Sequence, residues 1–378
     1  VLNFVSRLWE VLTRRVDTML FGCAAAIVGV GLVTLFSASD QNLARITSQL
    51  GSVAFAVALM WITANIPPQT LARVAVPLYV AGVLMLVGVA LFGVVVNGSR
   101  RWLNLGVARF QPSELMKIAL PLMLAWYFQK FEGRIGWKDF LFAAVLIVVP
   151  VYLIKRQPDL GTALLIAASG FYVLYLAGLS WKIIVGLFAA GSAGVVALFT
   201  LGEDAGPLAW FHLHGYQRER VLTFIDPTRD PLGAGYHSTQ ASIALGSGGV
   251  IGKGWLNGTQ THLDFLPEKH TDFIFAVFGE EFGLIGNALL LILYLVLISR
   301  AMVITANAST LFARLLAGAI TLMFFTYAFV NMGMVSGVLP VVGVPLPLVS
   351  YGGTALISLF IGLGVLMSVS AHRKLVAT

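Results

Sequence analysis

Long uninterrupted apolar runs dominate this chain, and they decide its solvent before any other question arises. A helix that crosses the hydrocarbon core of a bilayer takes about 20 predominantly apolar residues. Runs of that length recur from Met19 almost to the C-terminus, centred on 20–37, 48–65, 75–95, 112–128, 140–154, 160–178, 182–201, 272–298, 312–335 and 354–370. They predict an all-α integral membrane protein with about ten transmembrane helices. Only 11% of the 378 residues are charged, while 58% are hydrophobic. That is too little charge to cover a soluble surface, so residues 1–378 read as one membrane domain with no separate soluble part. The first run, Met19–Phe36, is long for the apolar core of a signal peptide and is expected to be the first span. Before it, Phe4, Val5, Leu8, Trp9 and Leu12 oppose Arg7, Glu10 and Arg14, a pattern that suits either an interfacial helix or a frayed tail.

An even number of spans puts both termini on one side. Arg7, Arg14, Arg15, Arg73, Lys130, Arg134, Lys138, Lys182, Arg300, Arg314, Arg373 and Lys374 fall on that side; Arg45, Arg100, Arg101, Arg109, Lys155 and Arg156 fall opposite. Short basic loops stay in the cytoplasm, so both termini are expected there. Residues 202–271 then form one long extracytoplasmic loop between spans seven and eight. Trp210, Phe211, Tyr216, Phe224, Tyr236, Trp255 and Phe265 are spread along it, which argues for an ordered cap, with a short helix over 238–245, rather than disorder. The net charge of +7 is scattered among loops. Anionic lipid head groups fit that distribution, and nucleic acid does not. The single cysteine, Cys23, excludes an intramolecular disulfide.

Ionisable residues inside apolar runs are costly and mark function by default. Glu114 and Lys117 stand at i, i+3, on one helix face, where they neutralise each other. They suit either an ion pair joining helices or a crevice with Lys117 facing a phosphate. In Lys155-Arg-Gln-Pro-Asp-Leu-Gly161, Asp159 is a natural N-cap, and Lys155 and Arg156 beside it suit an anion. Asp272, in Glu268-Lys-His-Thr-Asp-Phe273, falls where polar sequence becomes a span. It reads as an N-cap, a role Thr271 fills equally well, or as a general base whose basicity is raised by partial desolvation. His262, Asp264, Glu268 and His270 carry metal-binding groups without a metal-site spacing. Ser247-Gly-Gly-Val-Ile-Gly-Lys-Gly254 lacks the first glycine and terminal hydroxyl of a phosphate-binding loop, so its glycines point to tight turns or a close backbone approach. Arg218 and Arg220 suit an anionic substrate or lipid phosphates. Leu339–Gly353 is too rich in Pro and Gly for a helix and too apolar for a solvated loop. A re-entrant segment fits both facts, with Ser350 and Tyr351 lining a lipid crevice or plugging the bundle.

Taken together, Arg101-Trp-Leu103, Arg109-Phe-Gln-Pro-Ser-Glu114, Gln157-Pro-Asp-Leu-Gly161, Asp230–Tyr236, Gly254–Gln260, Phe265-Leu-Pro-Glu268, His270–Ala276 and the Pro/Gly segment through Gly353 resemble the SEDS family (shape, elongation, division and sporulation). The Gly254–Gln260 stretch resembles its elongation-type members. The resemblance covers nearly the whole chain and implies a ten-helix peptidoglycan glycosyltransferase of the bacterial inner membrane, with its active site facing the periplasm. The implied substrates are lipid II, the undecaprenyl-pyrophosphate-linked disaccharide-pentapeptide, and the lipid-linked nascent glycan. The family's essential aspartate falls on Asp272; its supporting residues fall on Glu114, Lys117 and Asp159. Lys117, Arg109, Lys155, Arg156, Arg218 and Arg220 are the candidates for the leaving pyrophosphate. The implied partner is a class B penicillin-binding protein, a transpeptidase. No tightly bound cofactor is implied, and a magnesium or manganese ion travelling with the pyrophosphate stays open. On the residues alone, a lipid flippase and a scaffold for the transpeptidase remain as alternative classes.

Overall fold

The computed structural model describes residues 15–96, 99–104, 109–157, 159–200, 234–263, 265–266 and 268–372. Residues 1–14, for which an interfacial helix or a frayed tail was expected, lie outside the described residues, as do Arg218, Arg220, Asp264 and the side chain of Arg109.

Each expected apolar run coincides with a helix: α1 (Thr18–Ala38), α2 (Leu43–Asn65), α3 (Pro68–Phe92), α4 (Pro112–Lys130), α5 (Trp137–Lys155), α6 (Leu160–Leu176), α7 (Trp181–Thr200), α10 (Ile274–Ala306), α11 (Leu311–Val335) and α12 (Gly353–Ala371). Between α7 and α10 lie α8 (Ala234–Ser247) and the single turn α9 (Thr259–His262). Helix α8 contains the expected 238–245 helix and is longer at both ends. Among the described residues, seven helices (α1, α2, α3, α5, α10, α11 and α12) are long and apolar enough to cross a membrane. The starts follow local chemistry. Asp17, Asn42, Asp159 and Thr310 accept hydrogen bonds from first-turn N–H groups of α1, α2, α6 and α11, while α3 and α4 open with proline in the first turn.

Helix α4 packs on α3, α6 and α11, α12 packs along α2, and α10 packs on α1 and α11. Large apolar side chains such as Phe55, Leu84, Val148 and Leu289 remain exposed on outer faces, as expected where hydrocarbon replaces water. One element departs from the all-α expectation. Strands β1 (Val94–Val96), β2 (Ser99–Asn104) and β3 (Arg109–Phe110) form a small antiparallel sheet between α3 and α4. Its cause is local: three consecutive valines favour strand.

The run expected over 272–298 is not one straight helix. α10 breaks at Gly283, with φ 63° and ψ −162°, a backbone region open essentially to glycine alone. The glycine-rich stretch ahead of α9 satisfies the break. Leu284 and Ile285 donate their N–H groups to the Gly249 and Val250 carbonyls at 2.9 and 3.1 Å. In return, Lys253 and Gly254 donate to the Glu280 and Glu281 carbonyls, both at 3.0 Å. A Cβ on Gly248 or Gly252 would run into the backbone of Gly279 or Glu281. These glycines therefore serve a close approach, to a helix rather than to a ligand.

Residues 340–352 are non-helical, and 344–350 are buried or nearly so. Buried Tyr294 donates to the Pro347 carbonyl at 2.5 Å, and a Cβ on Gly31 would come within 2.7 Å of Val349 Cα. Irregular backbone at this depth is tolerated because protein surrounds it.

Candidate active site

Asp272 lies in the turn just ahead of α10 and is half-buried. The helix cap falls one residue later, at Phe273, without a side-chain hydrogen bond. Neither Asp272 nor Thr271 therefore caps the helix. The Thr271 hydroxyl instead donates to the Glu268 carboxylate at 2.8 Å.

The backbone under Asp272 is held from three directions. Asn331 of α11, fully buried, donates through Nδ2 to the carbonyls of Asp272 and Val344 at 2.8 and 2.7 Å. Ser350 donates through Oγ to the Thr271 carbonyl at 2.7 Å. Tyr351 donates its N–H to the His270 carbonyl at 3.0 Å. The Pro/Gly segment is thus the bed on which the aspartate sits, and Gly343 comes close to its carboxylate. With φ at 70°, a Cβ there would lie 3.3 Å from Asp272 Oδ2. Burial, with the Arg45 charge adding to it, pushes the His270 imidazole below its usual value, so the ring is neutral at neutral pH.

The Asp159 turn reaches the same segment. Asp159 caps α6 through Thr162 N–H at 3.1 Å and accepts from Gln111 Nε2 at 3.4 Å. Arg101 Nη1 stands 3.7 Å away. A Cβ on Gly161 would run against the Val342 carbonyl at 2.5 Å, so residues 342–343 span the gap from the Asp159 turn to Asp272. Of the neighbouring bases, Arg156 is exposed with its guanidinium 5.1 Å from the Tyr152 ring centroid, and Lys155 is half-buried.

Glu114 and Lys117 are buried, with Nζ and Oε1 2.6 Å apart. Ser358 of α12 donates to the other Glu114 oxygen at 2.7 Å, and Lys117 Nζ lies 5.2 Å from the Tyr327 ring centroid of α11. The space beside them is about 20 Å³, roughly one water. Among the described residues, the cavity that Lys117 lines is water-sized. The pair joins α4 to α11 and α12 because an ammonium buried among apolar helices needs its counter-charge in contact.

Sequence reasoning passed over Glu280 and Glu281, buried next to the α10 break. Glu280 accepts from Lys253 Nζ at 2.7 Å, from the N–H groups of Gln260 and Thr261 at 2.8 and 3.1 Å, and from the Thr261 hydroxyl at 2.9 Å. Glu281 accepts from the Ser37 hydroxyl and from Leu256 N–H. Asp40, in the α1–α2 turn, accepts from Lys269 at 2.9 Å and meets His262 at 3.3 Å. Two adjacent carboxylates in an apolar run were the signal available for the first pair. Asp40 offered none, because its partners His262 and Lys269 lie 222 and 229 residues away.

A bundle in which seven helices, among the described residues, are long and apolar enough to cross a membrane belongs to the class of polytopic membrane proteins. The comparisons narrow that class. The profile described as the FtsW/RodA/SpoVE cell cycle protein family matches residues 17–375, and this chain belongs to that family. It is 50% identical over 362 residues to the Escherichia coli K12 protein named peptidoglycan glycosyltransferase MrdB, covering 95% of this chain and 94% of that one. The Helicobacter pylori protein of the same name is 38% identical over 322 residues, 83% and 80% of the two chains. Among solved structures, a chain from a study of coordinated polymerization and crosslinking by a peptidoglycan synthase complex matches with a TM-score of 0.80 at 34% identity, covering 95% and 99% of the two chains. The Thermus thermophilus rod shape determining protein RodA matches at 0.70 and 31% identity, covering 95% and 98%.

Proposed function

We propose that this chain is a peptidoglycan glycosyltransferase that polymerises lipid II during cell elongation, with Asp272 as its general base. The carrying observation is the placement of Asp272: half-buried, without a helix-capping role, and fixed through its backbone by Asn331, Ser350 and Tyr351. The acceptor lipid II presents its GlcNAc 4-hydroxyl to this carboxylate, which takes the proton as oxygen attacks the MurNAc anomeric carbon of the lipid-linked strand. A β-1,4 bond forms with inversion, and undecaprenyl pyrophosphate leaves. A positioned base contributes about 10²–10⁴ in rate; holding two membrane-tethered reactants on one surface contributes at least as much. Arg101 and the Lys155–Arg156 pair beside the Asp159 turn, with Arg109, Arg218 and Arg220, supply the positive charge for the departing pyrophosphate.

The ten helices cross the bacterial inner membrane with both termini in the cytoplasm, so Asp272 works on the periplasmic side. A class B penicillin-binding protein crosslinks the product. Among the described residues no three His, Cys, Asp or Glu side chains gather into a metal-holding group. A magnesium or manganese ion, where the reaction takes one, enters with the substrate pyrophosphate. The test is polymerisation of lipid II by purified protein with its transpeptidase, with and without chelator, beside a lipid II translocation assay in the same liposomes. Glycan without translocation supports the polymerase; translocation without glycan contradicts it and assigns a flippase.

A further inference from the structure

The end of the bundle opposite Asp272 carries a cavity that glycan synthesis does not use. There α3 and α11 begin and α4 and α12 end. They enclose about 290 Å³, with Ala72, Trp126, Gln129, Lys130, Phe312 and His372 among the walls. Among the described residues lining it none is acidic. Lys130 stands with its nitrogen 5.3 Å from the Trp126 ring centroid, and His372 is fixed at the rim by Nδ1, 2.9 Å from the Ser368 carbonyl. The first turn of α3 has no capping side chain, so the partial positive charge of that helix end adds to the lysine.

The chemistry of the walls selects the ligand. A small inorganic anion would satisfy Lys130 and leave the apolar surface of Ala72, Trp126 and Phe312 wet. A phospholipid places phosphate at the lysine and its glycerol and first acyl carbons against those walls, and lipid already surrounds the bundle. Basic pockets between transmembrane helices near the membrane surface commonly take such head groups. We propose that this cavity binds the head group of an anionic phospholipid, with Lys130 as the contact to phosphate. The bound lipid braces α4, α11 and α12, the helices that the Glu114–Lys117 pair joins at greater depth. The inference stands apart from the polymerase reading because its readout is lipid retention.

The test uses the full chain, purified in micelles doped with phosphatidylglycerol or phosphatidylcholine, with retained lipid counted by native mass spectrometry. Phosphatidylglycerol is expected to be retained preferentially. Lys130→Gln should lower that retention about fivefold, the factor one lysine supplies against an anionic head group. Ala72→Trp, which fills the cavity, should lower it as well. Lys138→Gln, at a lysine 5.9 Å from the Trp137 ring centroid and outside the cavity walls, should leave it unchanged. Equal retention of the two lipids, or equal loss in Lys138→Gln and Lys130→Gln, overturns the proposal. Displacement of the lipid by inorganic phosphate also overturns it and reassigns the site to a free anion.

Discussion

Two side chains that the apolar runs made conspicuous, Glu114 and Lys117, carry a different weight from the aspartate. Breaking a buried ion pair on one side leaves a charge without compensation, at about 3–5 kcal/mol. Glu114→Gln should therefore lower the thermal midpoint sharply, and Glu114→Gln with Lys117→Met should recover most of it. A melt in detergent reads both. Gly343 separates chemistry from stability in the opposite sense. Alanine there costs about 1–2 kcal/mol for its left-handed backbone, yet its Cβ would press on the Asp272 carboxylate. Gly343→Ala should therefore lose polymerisation far beyond its loss of stability, with steady-state rate and melting temperature measured on one preparation. His270 gives a pH dependence. Its folded pKa lies below the unfolded value because burial disfavours the charged ring. The unfolded chain thus binds more protons, and stability present above about pH 6.5 is lost as pH falls below it. His270→Asn should flatten that part of a plot of melting temperature against pH.

The helices were legible because a hydrocarbon solvent imposes one rule on all of them: apolar side chains over about 20 residues. The break in α10 was not legible, since the residues just after Gly283 continue the apolar run and what stabilises the break lies earlier in the chain. There Gly248 and Gly252 pack closely against the helix backbone, an approach that a side chain would block. The glycines of 247–254 point to a close backbone approach, but the sequence names no partner for it, and Glu280-Glu281 was passed over. Gly283→Ala would place a Cβ within 2.7 Å of the Val250 carbonyl. It should release the loop, seen as faster proteolysis over 248–262, while α10 itself stays helical by circular dichroism. The small sheet before α4 was missed for a simpler reason: a search tuned to long apolar runs does not register short strands.

Over the whole molecule, three constellations separated in sequence meet, one of them the non-helical segment 340–352. The Asp159 turn touches it at Val342, Asp272 sits beside Gly343, and Ser350 and Tyr351 hold the turn from beyond. Sequence supplied the members of this group and the end of the bundle they occupy. It did not supply the geometry, because the contacts join α4, α6, α10 and α11 through a segment with no secondary structure of its own. Such an arrangement fixes the backbone that carries the Asp272 carboxylate; under the proposed function, a lipid-tethered sugar meets that carboxylate there. The most direct measurement is polymerisation of lipid II by purified Asp272→Asn with its transpeptidase, beside the wild type at matched folding. A fall of about 10²–10⁴ in rate with an unchanged melting temperature is the predicted result; glycan made at the wild-type rate would contradict the assignment of Asp272 as the base.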